Sequence, residues 1–313
     1  MRTDFVERWK IAAHKEKLKE IYKEDPEELL KVDKYEAGLI TTRLDCFMTR
    51  YMRNSKKDGY VIGLSGGIDS SAAAYAAVHA VGKDKVLGLL IPSVYTSQEH
   101  TDDGLLVAKN LGIGYAIVDK ELFEKEIETD NAIETDIESK INTILDAKGD
   151  KKLLIGNDHA RTRMKILRRT AQKYNCLVLG TTNLTETLLG YATIAGDGYK
   201  GVDIEPLQRM FKTTLWEYSG HIAVPKKIIE KVPTAGLWTG QTDEKELGMS
   251  YKNIDRILLG RELLATQEEI VQANKNPEIT LESIARIFDH VERNKFKGEP
   301  EPWAELNGGV RYE

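Results

Sequence analysis

The sequence predicts an α/β fold: a doubly wound parallel sheet flanked by helices, with helical extensions at both ends. Three observations carry this reading. Short apolar runs of strand length recur at 59–64, 86–91, 114–118 and 176–180. Segments of helical periodicity separate most of them, and strands joined through helices run parallel by right-handed crossover. The first run ends in a paired-glycine turn that opens directly into an alanine-rich stretch, Ser71 to Val81.

The elements follow in order. Residues 4–24 are highly charged, with Phe5, Trp9 and Ile21 as apolar anchors. They predict an N-terminal helix lying on the body, ended by Asp25-Pro26. Over 34–53, Ile40, Leu44, Phe47, Met48 and Tyr51 form a stripe at helical spacing. A strand at 59–64 leads to a helix at 69–81. A strand at 86–91 leads past Pro92 to a helix at 97–111. The strand at 114–118 precedes 119–153, a polar, poorly patterned stretch to which no element is assigned. A helix over 158–174 sets Ala160, Met164, Leu167 and Ala171 on one face, and the strand 176–180 follows. From about residue 205 the pattern changes to short helices joined by turns at Pro206, Pro225, Pro233 and Gly236. Helices near 250–260 and 280–295 close the chain, the last carrying Leu281, Ile284, Ile287, Phe288 and Val291. The expected organisation is a helical extension over 1–33, one domain over 34–302 and a tail over 303–313.

Composition excludes several classes. The 313 residues are 41% hydrophobic and 30% charged, enough for one large core or two small domains. The net charge of −5 is spread along the chain without a basic block, which argues against a general nucleic-acid binder. The opening MRTDFVERWK has charges where a signal peptide needs an apolar stretch. No apolar run approaches the ~20 residues of a membrane span. A cytoplasmic protein with no membrane partner is expected. Cys46 and Cys176 stand far apart with no CxxC, which argues against a metal–cysteine site or a disulfide scaffold. No histidine has metal-ligand spacing, and His159 is expected on a helix surface. Gly196 to Gly201 formally match G-x-G-x-x-G, but neither follow a strand nor open a helix, so a dinucleotide fold is rejected.

The chemistry concentrates in Ser65-Gly66-Gly67-Ile68-Asp69-Ser70. A strand, a glycine turn and a helix N-terminus converge backbone N–H groups and a favourable dipole on one point, which makes an anion site. The glycines let the backbone approach a ligand, and the serines add hydroxyl donors. Asp69 would repel a phosphate unless it holds a cation, so it implies magnesium. The bland alternative is a serine-glycine turn capping a helix. The loop lacks the lysine of the common ATP loop, G-x-x-x-x-G-K-[ST]. It resembles instead the SGGxDS loop of the N-type ATP pyrophosphatases, of adenine nucleotide alpha-hydrolase-like fold. That resemblance implies cleavage of ATP to AMP and pyrophosphate, with adenylation of an oxygen.

Ligands of open parallel sheets bind at the C-terminal ends of strands. Ser65 is at one such end, and the loop Gly180 to Glu186 is at another. Glu186 is placed to face Asp69 across the rim; on spacing alone a first-turn helix carboxylate is the better reading, and only the joint pattern with the Asp69 loop reverses it. Five segments in order are similar to the ammonia-dependent NAD synthetase family. They are GLSGGIDSS at 63–71, NDHARTRM at 157–164, GTTNLTETLLGYATIAGDG at 180–198, VDIEPLQRMFKT at 202–213 and VPTAGLWTGQTDEKELGMSY at 232–251. A sixth, ERNKFKGEPEP at 292–302, resembles the family's C-terminal tail.

The resemblance implies ATP-dependent amidation of deamido-NAD to NAD with ammonia, through an acyl-adenylate. It implies ATP contacts at Gly63, Leu64, Ser65, Gly66, Gly67, Ile68, Asp69, Ser70, Thr181, Lys212 and Thr234. Asp69, Ser65 and Lys212 are its catalytic candidates, and Asp69 and Glu186 its magnesium ligands. Arg161, Asp203, Asn294 and Lys295 would contact deamido-NAD. It also implies a homodimer, and a loop at Thr239 to Glu244 that closes over the substrate. The chain departs from the family pattern at Ile194 and Leu184, where lysine is usual, and at Asn294, where histidine is usual; Lys200 is the candidate to compensate for Ile194. These departures leave two alternatives: an adenylating amidoligase for another carboxylate, and a non-catalytic ATP-binding module.

Overall fold

The computed structural model describes residues 14–140, 150–198, 200–238 and 240–299. Its centre is a four-stranded, wholly parallel sheet in the order β3-β2-β1-β4, with β1 Gly59–Gly63, β2 Val86–Leu90, β3 Gly114–Ile117 and β4 Cys176–Val178. Every strand lies on a run that the sequence marks as apolar. β4 is shorter than expected because the chain pairs differently beyond Val178. Leu179 bridges to Ile204, and the Gly180 N–H donates to the Ile204 carbonyl at 2.8 Å.

Alternation along β1 places helices on both faces. Tyr60 and Ile62 join a core with α2 (Lys34–Asn54), α3 (Ile68–Val81) and α4 (Gln98–Leu111). Val61 points the other way, into a core with α5 (Lys120–Lys140) and α6 (Lys151–Lys173). The alanines of α3 explain how it lies so close to the sheet: Ala72, Ala73, Ala74 and Ala77 are buried without a long side chain to hold the helix off.

α5 corrects the sequence reading, which assigned no element to 119–153. Among the described residues of α5 only Phe123 and Ile127, one helical turn apart, are buried, while Leu122, Ile133 and Ile137 are exposed. The apolar period is therefore too sparse to show in sequence. Helix α6 also begins earlier than expected, at an Asp150 cap whose carboxylate accepts from the Lys152 and Leu153 N–H groups.

A second, helical core follows. It is built from α7 (Leu184–Leu189), α11 (Tyr251–Glu262), α12 (Gln267–Asn274) and α13 (Leu281–Asn294), through Ile254, Ile257, Leu258, Ile270, Ile284 and Val291. Short helices α8 (Lys212–His221), α9 (Lys226–Ile229) and α10 (Asp243–Leu247) join the two cores. The N-terminal helix α1 (14–24) lies on the helical core, as expected, through Tyr22. Its hydroxyl donates to the Arg256 carbonyl at 2.9 Å and passes so close to Gly260 that a Cβ there would lie 2.5 Å away. The anchors Phe5 and Trp9, and the tail 303–313, lie outside the described residues.

Candidate active site

The first glycine turn forms because Gly66 adopts φ +76, a left-handed conformation that favours glycine. A side chain there would meet the His100 carbonyl at 2.2 Å. Gly67 begins α3 with no side-chain cap, so the first N–H groups of that helix face the cavity beside the strand end. Ser65 and Ser70 brace the turn, their hydroxyls 3.0 Å apart, while the Gly67 N–H donates to Ser65 Oγ at 3.3 Å.

Across the cavity, Asn183 begins α7 with a capping box: its Oδ1 accepts from the Glu186 N–H, and Glu186 Oε2 accepts from the Asn183 N–H. Glu186 is thus both readings at once, a first-turn carboxylate and a cavity wall. Its other oxygen, Oε1, lies 3.3 Å from Lys212 Nζ, which in turn lies 2.5 Å from Asp69 Oδ2. Asn183 Nδ2 donates to Asp69 Oδ1 at 2.8 Å. Two acidic side chains from two strand ends therefore converge on one buried cation. Burial alone would lower the Lys212 pKa, but the charges of Asp69 and Glu186 outweigh it and hold the ammonium well above its ordinary range. Burial, and then the Asp69 charge, push Glu186 up to about 8 despite Lys212.

Lys212 is set by its surroundings. Its N–H donates to Thr185 Oγ1 at 2.9 Å, and Thr185 donates to Asp255 Oδ1 at 2.5 Å. Asp255 Oδ2 accepts from the Thr213 N–H and hydroxyl, both at 2.7 Å. Asp255, fully buried on α11, thereby locks α7 to the start of α8. Burial raises its pKa to about 6 against these donors. Asp243 completes the rim: it is buried and accepts from the Ala235 N–H at 2.9 Å and the Tyr251 hydroxyl at 3.0 Å.

The cavity, partly open to solvent, is about 270 Å³, and its lining includes Gly63, Leu64, Ser65, Gly67, Ile68, Asp69, Ser70, Thr181, Glu186, Lys212 and Thr234. Gly66 turns the backbone behind them. The four residues expected to reach a dinucleotide do not line it. Arg161 is about half exposed on α6 and pairs with Asp158 at 3.2 Å. Asp203 pairs with Arg168 at 2.5 Å and accepts from the Val178 N–H at 2.7 Å. Asn294 lies against Gly190, where a Cβ would come 2.4 Å from its own. Lys295 is exposed, 3.7 Å from Glu299. Ile194 is half-buried and Leu184 packs on the helical core. Lys200 is exposed in a left-handed turn, φ +63. In the loop 239–244, Thr239 lies outside the described residues, while Gln241 and Asp243 are buried.

His159 corrects another expectation. It is 3% exposed, not a surface residue, and sits between the Tyr95 and Phe123 rings with Nδ1 2.8 Å from the Ile155 carbonyl. Arg163, two positions past Arg161, was not singled out by the sequence. It lines the cavity and donates to the Ile91 carbonyl and Ser93 hydroxyl. Asp255 was also missed; with Lys252 and Arg256 beside it in sequence, it reads as one more solvated helix charge.

The donor chemistry fits magnesium. Asp69 and Glu186 offer hard carboxylate oxygens and already embrace a cation. Among the described residues no group of three or more His, Cys, Asp or Glu side chains forms a cage.

Residues 40–301 match the family model described as NAD synthase. The chain belongs to the NAD synthase family. It is 40% identical to the NH3-dependent NAD+ synthetase of Methanocaldococcus jannaschii, over 85% of this chain and 96% of that relative. It is equally 40% identical to the NH3-dependent NAD+ synthetase of Pyrococcus furiosus, over 82% and 91%. Among solved structures it resembles the NMN synthetase of Francisella tularensis, with a TM-score of 0.71, 29% identity and coverage of 88% of this chain and 100% of that one. It resembles the NH3-dependent NAD synthetase of Campylobacter jejuni with a TM-score of 0.65, 26% identity and the same coverage. The family carries the adenine nucleotide alpha-hydrolase-like sheet expected from the loop, and its members are ligases of NAD biosynthesis that use ATP.

Proposed function

We propose that this chain amidates deamido-NAD to NAD with ammonia, splitting ATP to AMP and pyrophosphate. The observation that carries the reading is the convergence of Asp69, Glu186 and Lys212 on one wall of the cavity that the glycine turn opens. The N–H groups at the start of α3, with the Ser65 and Ser70 hydroxyls, hold the phosphates, and Lys212 offsets charge on them. The nicotinate carboxylate attacks the α-phosphorus, the bond to the bridging oxygen breaks, and pyrophosphate leaves. Ammonia then adds to the acyl carbon and AMP departs. Asp69 and Glu186 would hold magnesium, which supplies neutralising charge at the phosphate oxygens. The buried rim of Gln241 and Asp243 supports a loop that keeps water from the adenylate.

Two further points belong to the reading. A homodimer is supported by exposed apolar side chains on the edge strand, Tyr115 and Ile117, and on α5, Ile133 and Ile137. The reading also places the enzyme in the cytoplasm; among the described residues no helix is long and apolar enough to cross a membrane.

The test is direct. With ATP, deamido-NAD, ammonium and magnesium, NAD, AMP and pyrophosphate form in equal amounts. No AMP would overturn the reading. A second acceptor is favoured by a specific observation: Arg161, Asp203, Asn294 and Lys295 stand outside the cavity, and a similar structure is an NMN synthetase. Nicotinate mononucleotide is that acceptor, and comparing kcat/KM for the two carboxylates decides between them.

A further inference from the structure

Helix α4 meets the phosphate turn at Asp103 and Gly104. A Cβ at Gly104 would lie 2.9 Å from the Leu64 carbonyl, and one at Gly66 would lie 3.1 Å from the Asp103 Cβ. A buried carboxylate, 1% exposed, therefore stands directly behind an anion-binding turn. Alone it would oppose the phosphates. It is instead matched by two ammonium groups: Lys231 Nζ lies 2.7 Å from Oδ2, and Lys227 pairs with Oδ1. The cluster carries a net positive charge against the turn. Burial pushes Asp103 upward, but the two lysines outweigh it and hold it below the usual carboxylate range.

The two lysines differ. Lys227 is 56% exposed on α9 and does not line the cavity, whereas Lys231 is 15% exposed and lines it beside Ser65, Gly67 and His100. Lys212, the cation the sequence pointed to, is occupied on the opposite wall by Asp69 and Glu186. We propose that Lys231, steered by Asp103, is a second phosphate-binding lysine of this site and grips the pyrophosphate portion of ATP. Its ammonium neutralises charge on the leaving group, and Asp103 acts as the positioning residue that aims it. The proposal rests on the ATP-cleaving reading above.

Titration calorimetry on the full-length protein with inorganic pyrophosphate, ATP and AMP tests it. Lys231→Met weakens pyrophosphate and ATP by about tenfold or more, the worth of a charge-assisted hydrogen bond, and leaves AMP unchanged because AMP lacks the β- and γ-phosphates. Lys231→Arg restores most of the binding. In turnover the KM for ATP rises while the KM for the carboxylate substrate holds. If Lys231→Met fails to fold, the double variant Asp103→Asn/Lys231→Gln leaves no unpaired charge between the two and carries the same expectation. Wild-type affinity for pyrophosphate in either variant overturns the proposal, as does an equal loss of AMP. If instead the wild-type protein binds ATP but no acceptor yields AMP, the proposed reaction falls and the binding result stands.

Discussion

Lys212 shows how much a single residue's meaning depends on its neighbours. A lysine 2% exposed is tenable only because two carboxylates meet it. Lys212→Met should leave Asp69 and Glu186 facing each other and cost on the order of 3 kcal/mol, together with turnover. Asp69→Asn should lose turnover with a smaller fall in melting temperature, because Glu186 still pairs with the lysine. Thermal melts of the two variants check the order. Glu205 is the contrasting case. It accepts from the Thr182 N–H and hydroxyl, pairs with no cation among the described residues, and has its pKa raised by burial from 4.5 to about 8. Between those values the folded chain holds a proton that the unfolded chain has lost. Its contribution to stability is therefore full below pH 4.5 and is lost as pH rises through about 8. Glu205→Gln should gain melting temperature relative to wild type between pH 5 and pH 9 (about the window the shift spans). A difference that stays flat across that range would refute the assignment. At this scale the residue types of the site were legible in sequence, but Arg163, Asp255 and Lys231 were not, since nothing local distinguishes them from solvated charges.

At the scale of elements, the phosphate turn divides its two glycines between different tasks. Gly66 is required by conformation: φ +76, with the His100 carbonyl 2.2 Å from a would-be Cβ. Gly66→Ala should destabilise by about 2 kcal/mol and displace α4 from the turn. Gly67 has φ −90, and a Cβ would meet only Ser65 Oγ at 3.4 Å. Gly67→Ala should fold and melt near wild type, yet raise the KM for ATP, because the added methyl stands where a ligand approaches. Melting curves and ATP kinetics on the pair separate the two roles. Strand and helix order were readable because buried strands appear as continuous apolar runs and α6 shows a face at regular spacing. Helix α5 was unreadable because, among its described residues, only Phe123 and Ile127 are buried, too few to show a helical period.

Across the whole molecule, Asp255 ties the helical core to the phosphate site. It sits on α11, yet its carboxylate holds Thr185 beside Glu186 and Thr213 beside Lys212. Asp255→Asn should leave one of these donors unpaired, cost about 1–3 kcal/mol and lower kcat more than it raises either KM. Unchanged kcat in a folded variant would show that the two cores meet without steering catalysis. The sequence by itself determined the parallel α/β architecture, the anion-binding turn and the family, because strand period, glycine placement and helix starts are local properties of the backbone. Only the tertiary structure decided that Lys212 stands between Asp69 and Glu186 and that Lys231 reaches Asp103. Those partners lie 143 and 128 residues apart for Asp69–Lys212 and Asp103–Lys231, and among many charged side chains it is packing, which has no sequence period, that selects which ones meet.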